Sequence, residues 1–222
     1  MKIFHGSEQI IAKPEFGKGS SKNDYGRGFY CTNDRDLAGE WACKSGNDGF
    51  INKYSFNMDD LLVCNLNSGE YSLLNWLAIL TKNRGYWQKK SIAEDAKDFL
   101  QEKYYVDTSD FDVIVGYRAD DSYFSFVQDF IMGTISYQKL ARAMQLGKLG
   151  EQVMLKSPKA FERIKYIESD PALADIFYMK KKMRDMEARA GYAENKSDIS
   201  RLDEIYMIDI MRGRINDEDL RI

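Results

Sequence analysis

Short apolar runs bounded by polar turns alternate along this chain with longer segments in which apolar residues recur every three or four positions. The first pattern is typical of strands and the second of amphipathic helices. We expect about six strands, with the run at 61–66 returning as the hairpin partner of the run at 50–57. The predicted strands cover residues 1–4, 28–32, 50–57, 61–66, 111–116 and 151–156.

Small polar residues at N-cap positions mark the predicted helix starts. Asn33-Asp34 precedes apolar residues that repeat at helical spacing as far as Ala42. Ser157-Pro158 and Asp170-Pro171 each add a proline at the first helical position, where proline is favoured. Further helices are predicted at 72–81, at 92–104, after the Ala119-Asp120-Asp121 cap, at 136–146, and over nearly everything beyond Asp170-Pro171.

Short, partly antiparallel strands mixed with helices indicate an α+β fold rather than a doubly wound sheet. Gly26-x-Gly28 precedes a predicted strand. The dinucleotide-binding fingerprint instead follows a strand and opens a helix, so a Rossmann domain is disfavoured. We expect one domain over residues 1–168 and a helical C-terminal extension over 169–222.

Composition narrows the classes of function. The net charge of −3 gives no support for non-specific nucleic-acid binding, which needs a basic surface. Three cysteines without CxxC spacing favour a reduced, cytoplasmic chain, and a single histidine argues against a zinc site. No apolar run approaches the ~20 residues of a membrane-spanning helix, so no membrane association is expected.

His5, the only histidine in the chain, is the first candidate for chemistry. One interpretation is a partly buried histidine whose hydrogen bonds are satisfied by the backbone. The other is functional, because a neutral imidazole directly before Gly6 can donate to one group and accept from another, which suits a ribose. The residues alone leave both interpretations open.

Gly26-x-Gly28, followed by Phe29-Tyr30 and by Trp41 on the next predicted helix, suits a site for a flat ring. Glycine lets the chain approach a planar ligand closely, and aromatic faces stack on other π systems. The structural alternatives are loop glycines, a core strand tyrosine and a core helical tryptophan.

Phe4-His5-Gly6-Ser7 and Gly26-Arg27-Gly28-Phe29-Tyr30-Cys31 resemble two signature segments of the ADP-ribosyltransferase superfamily, in its poly(ADP-ribose) polymerase-like, His-Tyr-Glu class. The chain more closely resembles a bacterial family of unknown function with His-Gly-Ser, Gly-x-Gly-Phe-Tyr-x-Thr and Trp-Ala motifs. The resemblance covers residues 1–168. It implies a split mixed β-sheet with inserted helices, NAD as co-substrate and no metal.

The resemblance also implies roles for individual residues. His5 would hydrogen-bond the adenosine-side ribose of NAD, and the Gly6 backbone would hold the nicotinamide amide. Tyr30 and Trp41 would sandwich the nicotinamide ring, with Trp41 standing where the class has a tyrosine. The implied NAD-binding set is His5, Gly6, Ser7, Tyr30, Thr32 and Trp41.

The third element of the class is a glutamate at the start of a late strand, which supports an oxocarbenium-like transition state. Gln152 corresponds to it, with Glu151 adjacent, and these two join His5 as the implied catalytic residues. Neighbouring strand residues face opposite sides, so only one can face the site unless the strand is bulged. Gln152 facing in would disfavour polymer elongation but leave mono-transfer or slow NAD cleavage, whereas Glu151 facing in would favour full activity. Ala38 replaces a serine that binds the nicotinamide amide.

The expected function is NAD-dependent mono-ADP-ribosyl transfer to an unknown macromolecular or small-molecule acceptor, with release of nicotinamide. The alternative is a degenerate module that holds NAD or ADP-ribose without turnover, or one that interacts with a protein. Lys180–Arg184 is either a solvated helix face or a contact for an acidic partner or a nucleic acid. Ile205–Met211 is too apolar for a free surface helix, so it should pack back on the domain or on a partner chain. Self-association through the C-terminal helices also stays open.

Overall fold

The computed structural model describes residues 1–84, 91–119, 121–146, 150–199, 203–215 and 220. The chain forms two compact units, each assembled from three stretches of sequence. Unit 1 comprises residues 1–65, 107–118 and 150–184, and unit 2 comprises residues 66–106, 119–149 and 185–222.

The fold is α+β, as the sequence predicts, and all strands of the described residues lie in unit 1. The strands are β1 (Lys2–Ser7), β2 (Phe29–Cys31), β3 (Gly49–Phe56), β4 (Val63–Asn65), β5 (Val113–Tyr117), β6 (Glu151–Leu155) and β7 (Ile164–Ala172). The helices are α1 (Arg35–Ala42), α2 (Leu73–Asn83), α3 (Ile92–Lys103), α4 (Asp121–Ile131), α5 (Tyr137–Ala143), α6 (Pro158–Glu162), α7 (Ala174–Ser197) and α8 (Met207–Met211).

The strands form two sheets, one with the order β1-β3-β7 and one with the order β2-β6-β5-β4. The β4–β5 pair is parallel and the other pairs are antiparallel. One isolated antiparallel bridge joins the sheets, with the Phe4 N–H donating to the Thr32 carbonyl at 2.8 Å and the Thr32 N–H donating back at 2.9 Å. Residues of both sheets, Ile3 and Tyr54 of the first and Val113 and Leu155 of the second, share one buried apolar cluster.

Helix α1 packs closely on β1 and β3. Asp34 caps it by accepting from the backbone N–H groups of residues 36 and 37, as predicted. A Cβ atom at Gly6 would lie 1.8 Å from the Ala38 carbonyl oxygen, and one at Gly49 would lie 2.3 Å from that of Ala42. Only glycine therefore allows the backbones of strand and helix to approach this closely.

Three expectations about the strands are wrong. Strand β1 does not end before His5 but continues to Ser7. The 61–66 run is not a hairpin partner of β3, because β4 pairs in parallel with β5 in the other sheet. Pairing between distant strands is decided by packing in the core, where Leu61 and Val113 belong to the same buried apolar cluster.

The third error concerns Asp170-Pro171, which does not start a helix. Pro171 lies in β7 opposite Phe50 of β3. Strand β7 is at the edge of its sheet, where a residue without a backbone N–H is tolerated. The helix begins only at Ala174, whose backbone N–H donates to the Asp48 carboxylate.

Unit 2 is helical in its described residues. The 205–211 segment packs within this unit, which is one of the two outcomes expected for it. Met207 and Ile210 of α8 are buried, and the Tyr137 N–H donates to the Ile205 carbonyl. Asp120, from the predicted cap before α4, lies outside the described residues. In the part of the chain that the structure describes, no helix has the length and hydropathy needed to cross a membrane.

Because α1 and α7 are in tight contact, we expect one glycine-to-alanine substitution to lower the free energy of unfolding rather than raise it. Replacing a helical glycine with alanine normally stabilises a helix by about 0.5–1 kcal/mol. A Cβ at Gly39 of α1, however, would lie 2.4 Å from the buried Phe177 ring, so Gly39→Ala should instead destabilise by about 1–3 kcal/mol. Thermal and urea unfolding would measure the change.

Gly191 in α7 is the matched control, because the atom nearest to an added Cβ there would be the terminal Cδ2 of Leu146, at 3.1 Å. Gly191→Ala should be neutral or stabilising, since Leu146 can shift slightly. Equal stabilities for the two variants would contradict the close contact between Gly39 and Phe177.

Candidate functional site

The candidate site is the split between β1 and β2. Phe4 uses both of its backbone hydrogen bonds on Thr32, so its N–H and C=O point away from β3. Because these directions alternate along a strand, the N–H and C=O of Gly6 point to the same edge. The two strands belong to different sheets, and among the described residues the Phe4–Thr32 bridge is their one backbone pairing. This edge of Gly6 therefore lies just beyond that pair.

His5 spans the split. Its Nδ1 lies 2.6 Å from the Tyr30 carbonyl oxygen, and its ring centroid lies 4.3 Å from that of Phe29. A carbonyl oxygen only accepts, so Nδ1 carries the hydrogen and Nε2 of the neutral ring is left as an acceptor. Burial lowers the pKa of the imidazole, and the hydrogen bond to Tyr30 opposes this shift in part. At neutral pH the site therefore holds an uncharged histidine.

Tyr30 is held in place by the turn that precedes β2. Its hydroxyl donates to the Gly26 carbonyl at 2.6 Å and accepts from the Tyr25 N–H at 3.1 Å. The Tyr25 ring is stacked with the Tyr30 ring at 6.5 Å and 9°. Gly26 closes the turn by donating its N–H to the Asn23 carbonyl at 3.0 Å, and its φ of 83° lies in the left-handed region that glycine favours.

Trp41, near the end of α1, carries a buried donor. Among the described residues, its Nε1 has no hydrogen-bond acceptor although the atom is shielded from solvent. The guanidinium carbon of Arg118 lies 4.8 Å from the ring centroid, in cation–π range. The indole therefore lies beside a cation and carries a buried N–H that has no acceptor among the described residues.

Strand alternation decides which of Glu151 and Gln152 shares the face of Tyr30. Val153 packs in the apolar cluster between the sheets, and Glu151 lies on that same face of β6. Gln152 lies on the opposite face with Met154, which is the direct cross-strand partner of Tyr30. Gln152 is therefore the member of the pair on the Tyr30 side of the sheet.

Gln152 is hydrogen-bonded to a carboxyl group, because its Nε2 donates to Oδ2 of Asp24 at 2.9 Å. Asp24 is only 3% exposed and Gln152 only 5%, so the carboxyl group and the amide form a buried pair. Asp24 occupies the second position of the 23–26 turn, directly before Tyr25. The pair thus brings a carboxyl group to the position where the sequence offers only an amide.

Sequence reasoning misses Asp24, because it lies in a segment whose composition indicates only a loop. Its sole local signal is its place directly before Tyr25-Gly26. Sequence reasoning also misses Asn52, a fully buried residue of β3 whose Nδ2 donates to the His5 carbonyl at 3.1 Å and to Ser7 Oγ at 2.8 Å. Asn52 therefore fixes the end of β1 that carries the candidate residues.

Ser7 and Thr32 have structural partners. The Ser7 hydroxyl donates to the Gln9 carbonyl at 2.7 Å while accepting from Asn52. Thr32 is fully buried, forms the bridge to Phe4, and accepts from the Asp34 N–H at 3.2 Å through Oγ1. Their hydroxyl groups stabilise the backbone around the split.

Within the described ranges, no group of three or more His, Cys, Asp and Glu side chains is arranged to hold a metal ion. The three cysteines, Cys31, Cys43 and Cys64, are buried and are not joined in disulfides.

The lowered pKa of His5 predicts how stability depends on pH. The unfolded histidine titrates near 6.5, and the folded one only at lower pH. Below 6.5 the unfolded state therefore binds more protons, so the free energy of unfolding should fall as the pH drops, by at most about 1.4 kcal/mol per pH unit. Urea unfolding at a series of pH values from about 8 down to about 5 would measure this change.

His5→Gln provides the reference, because it removes the only histidine while other groups titrate as before. The difference in free energy of unfolding between the two proteins should change with pH below 6.5 and stay constant above it. Parallel curves over the whole range would contradict the burial of a neutral His5.

Comparison with known proteins gives a family. The model of one family, described as "Protein of unknown function (DUF3990)", matches residues 1–166. Neither a curated protein nor a solved structure matches the chain. The match covers β1 to β6 and the start of β7, which includes every candidate residue of the site. The chain belongs to the DUF3990 family, whose function is unknown.

Proposed function

We propose that unit 1 has an ADP-ribosyltransferase-like split sheet and that the protein is an NAD-dependent mono-ADP-ribosyltransferase. The observation that carries this proposal is the divergence of β1 and β2 beyond the Phe4–Thr32 bridge, with His5 and Gly6 on one side and Tyr30 on the other. Backbone groups at the edge of Gly6 suit a planar carboxamide, which both donates and accepts hydrogen bonds.

The polar groups of the site fit a dinucleotide. Nε2 of neutral His5 can accept from a ribose hydroxyl while Nδ1 stays on the Tyr30 carbonyl. The buried Nε1 of Trp41 needs an acceptor, and a carboxamide or ribose oxygen of NAD is one. A buried donor that gains a partner on binding contributes favourably, because its desolvation cost has already been incurred in the free protein.

Asp24 supplies the negative charge that Gln152 lacks. In the reaction, the bond between the anomeric carbon and the nicotinamide nitrogen breaks, and its electron pair neutralises the pyridinium. The acceptor nucleophile then bonds to the anomeric carbon and releases a proton to solvent. The ribose carries positive charge in between, and a carboxylate held by the Gln152 amide stabilises that charge electrostatically.

Substitution of Asp24 tests the function. Wild-type protein incubated with NAD and lysate should release nicotinamide and yield ADP-ribosylated product, both measured by mass spectrometry. Asp24→Asn keeps the shape and should lower kcat about a hundredfold with little change in KM, because the charge acts mainly in the transition state.

Asp36→Asn is the control, since Asp36 is an exposed carboxylate of α1 paired with Lys180 at 2.6 Å. It should leave nicotinamide release unchanged. Failure to detect either nicotinamide or product with any lysate would refute the transferase activity.

A module that binds NAD or ADP-ribose without turnover is the second candidate. Two observations favour it: Gln152 presents an amide rather than a carboxylate, and Ala38 offers no hydroxyl to the nicotinamide amide. Calorimetric binding of NAD without any nicotinamide release would select this function over the transferase.

A further inference from the structure

Helix α7 exposes a row of large apolar side chains. Ile176 is 48% exposed, Met179 51%, Met183 58% and Met186 70%. They are separated by three, four and three residues, which places them on one stripe of the helix. Their relative placement follows from the geometry of a single continuous helix.

This stripe is not the face by which α7 packs on the rest of the chain. The buried residues of α7 are Ala174 and Phe177 in its unit 1 part and Ala188 and Tyr192 in its unit 2 part, and none belongs to the stripe. Ala190 and Ala193 continue the 3-4 spacing and are also exposed. The solvent-facing side of a helix is normally polar. On this side of α7, apolar residues instead recur every 3.5 residues on average, as they do at the a and d positions of a coiled coil.

The charged residues beside the stripe indicate which partner would cover it. In a parallel two-stranded coiled coil, a residue at position g faces the residue five places later, at position e, on the partner helix. A second copy of α7 would place charges of opposite sign together in all three pairs of the stripe. These pairs are Asp175 with Lys180, Lys182 with Glu187, and Arg189 with Glu194.

An antiparallel arrangement centred on the same stripe is less favourable, because it would set Lys182 against Arg189 of the second copy. Two of the charges have partners within the chain, where Lys180 pairs with Asp36 and Arg189 with Asp185. Both are exposed ion pairs, which contribute roughly 0–1 kcal/mol and exchange easily.

We propose that two copies of this chain associate through α7 as a parallel coiled coil. The apolar stripe from Ile176 to Ala193 spans 18 residues, or roughly 27 Å of helix. That is about two and a half heptads, so the dimer is a weak, concentration-dependent one. This proposal stands on the surface of α7 and is independent of NAD chemistry.

Sedimentation velocity and light scattering over a wide concentration range test the proposal with the full chain. The wild type should shift from monomer toward dimer as concentration rises. Met183→Glu should stay monomeric with an unchanged circular dichroism spectrum, because Met183 is already exposed in the monomer. Met132→Glu, another exposed methionine but outside α7, should dimerise like the wild type.

A charge swap tests the parallel pairing itself. Lys182→Glu and Glu187→Lys should each weaken the dimer, because each places like charges together in both copies of the pair. The double variant restores opposite charges and should recover wild-type association. A wild type that is monomeric at every concentration, a Met183→Glu protein that still dimerises, or a double variant no better than the single ones would overturn the proposal.

Discussion

A single antiparallel bridge, between Phe4 and Thr32, is the contact on which the candidate site depends. It is the point where the two sheets of unit 1 are tied by backbone hydrogen bonds. One residue further along β1, the contact is made by the His5 imidazole on the Tyr30 carbonyl. Replacing a backbone partner by a side chain opens the edge at Gly6 without leaving the Tyr30 carbonyl unpaired.

The same geometry restricts what the surrounding residues can be. Gly6 cannot carry a side chain, because α1 lies against it through the Ala38 carbonyl. Asp24 is buried, yet its position in the 23–26 turn and its bond to Gln152 give its carboxyl group a defined partner. A buried carboxyl group is costly unless it is hydrogen-bonded, and the Gln152 amide provides such a bond to Asp24. The proposed function thus rests on charge placement as much as on shape.

Local signals in the sequence predict most of the elements. The Asp34 and Ser157 caps start α1 and α6 at the expected places. The partner of β4 and the nature of 164–172 could not be predicted locally, because strand pairing depends on contacts between distant residues. Pro171 is misleading as a local signal, since proline suits both a helix start and an edge strand.

The site shows the same limit. His5 and Tyr30 lie in short motifs that sequence alone singles out, whereas Asp24 bonds a residue 128 positions away and Asn52 acts on Ser7 across 45 positions. Side chains of this kind become recognisable only when the fold brings them together. Which of Gln152 and Glu151 lies on the Tyr30 face of the sheet follows only from side-chain alternation along β6 and from the register of β6 against β2.

Calorimetric titration of NAD into the folded protein, compared with Trp41→Ala, tests the central claim most directly. The wild type should bind NAD, and binding should be abolished or greatly weakened in the variant, whose circular dichroism and melting temperature report that it remains folded. No binding to the folded wild type, or equal affinity in the two proteins, would contradict a nicotinamide site at the split between β1 and β2.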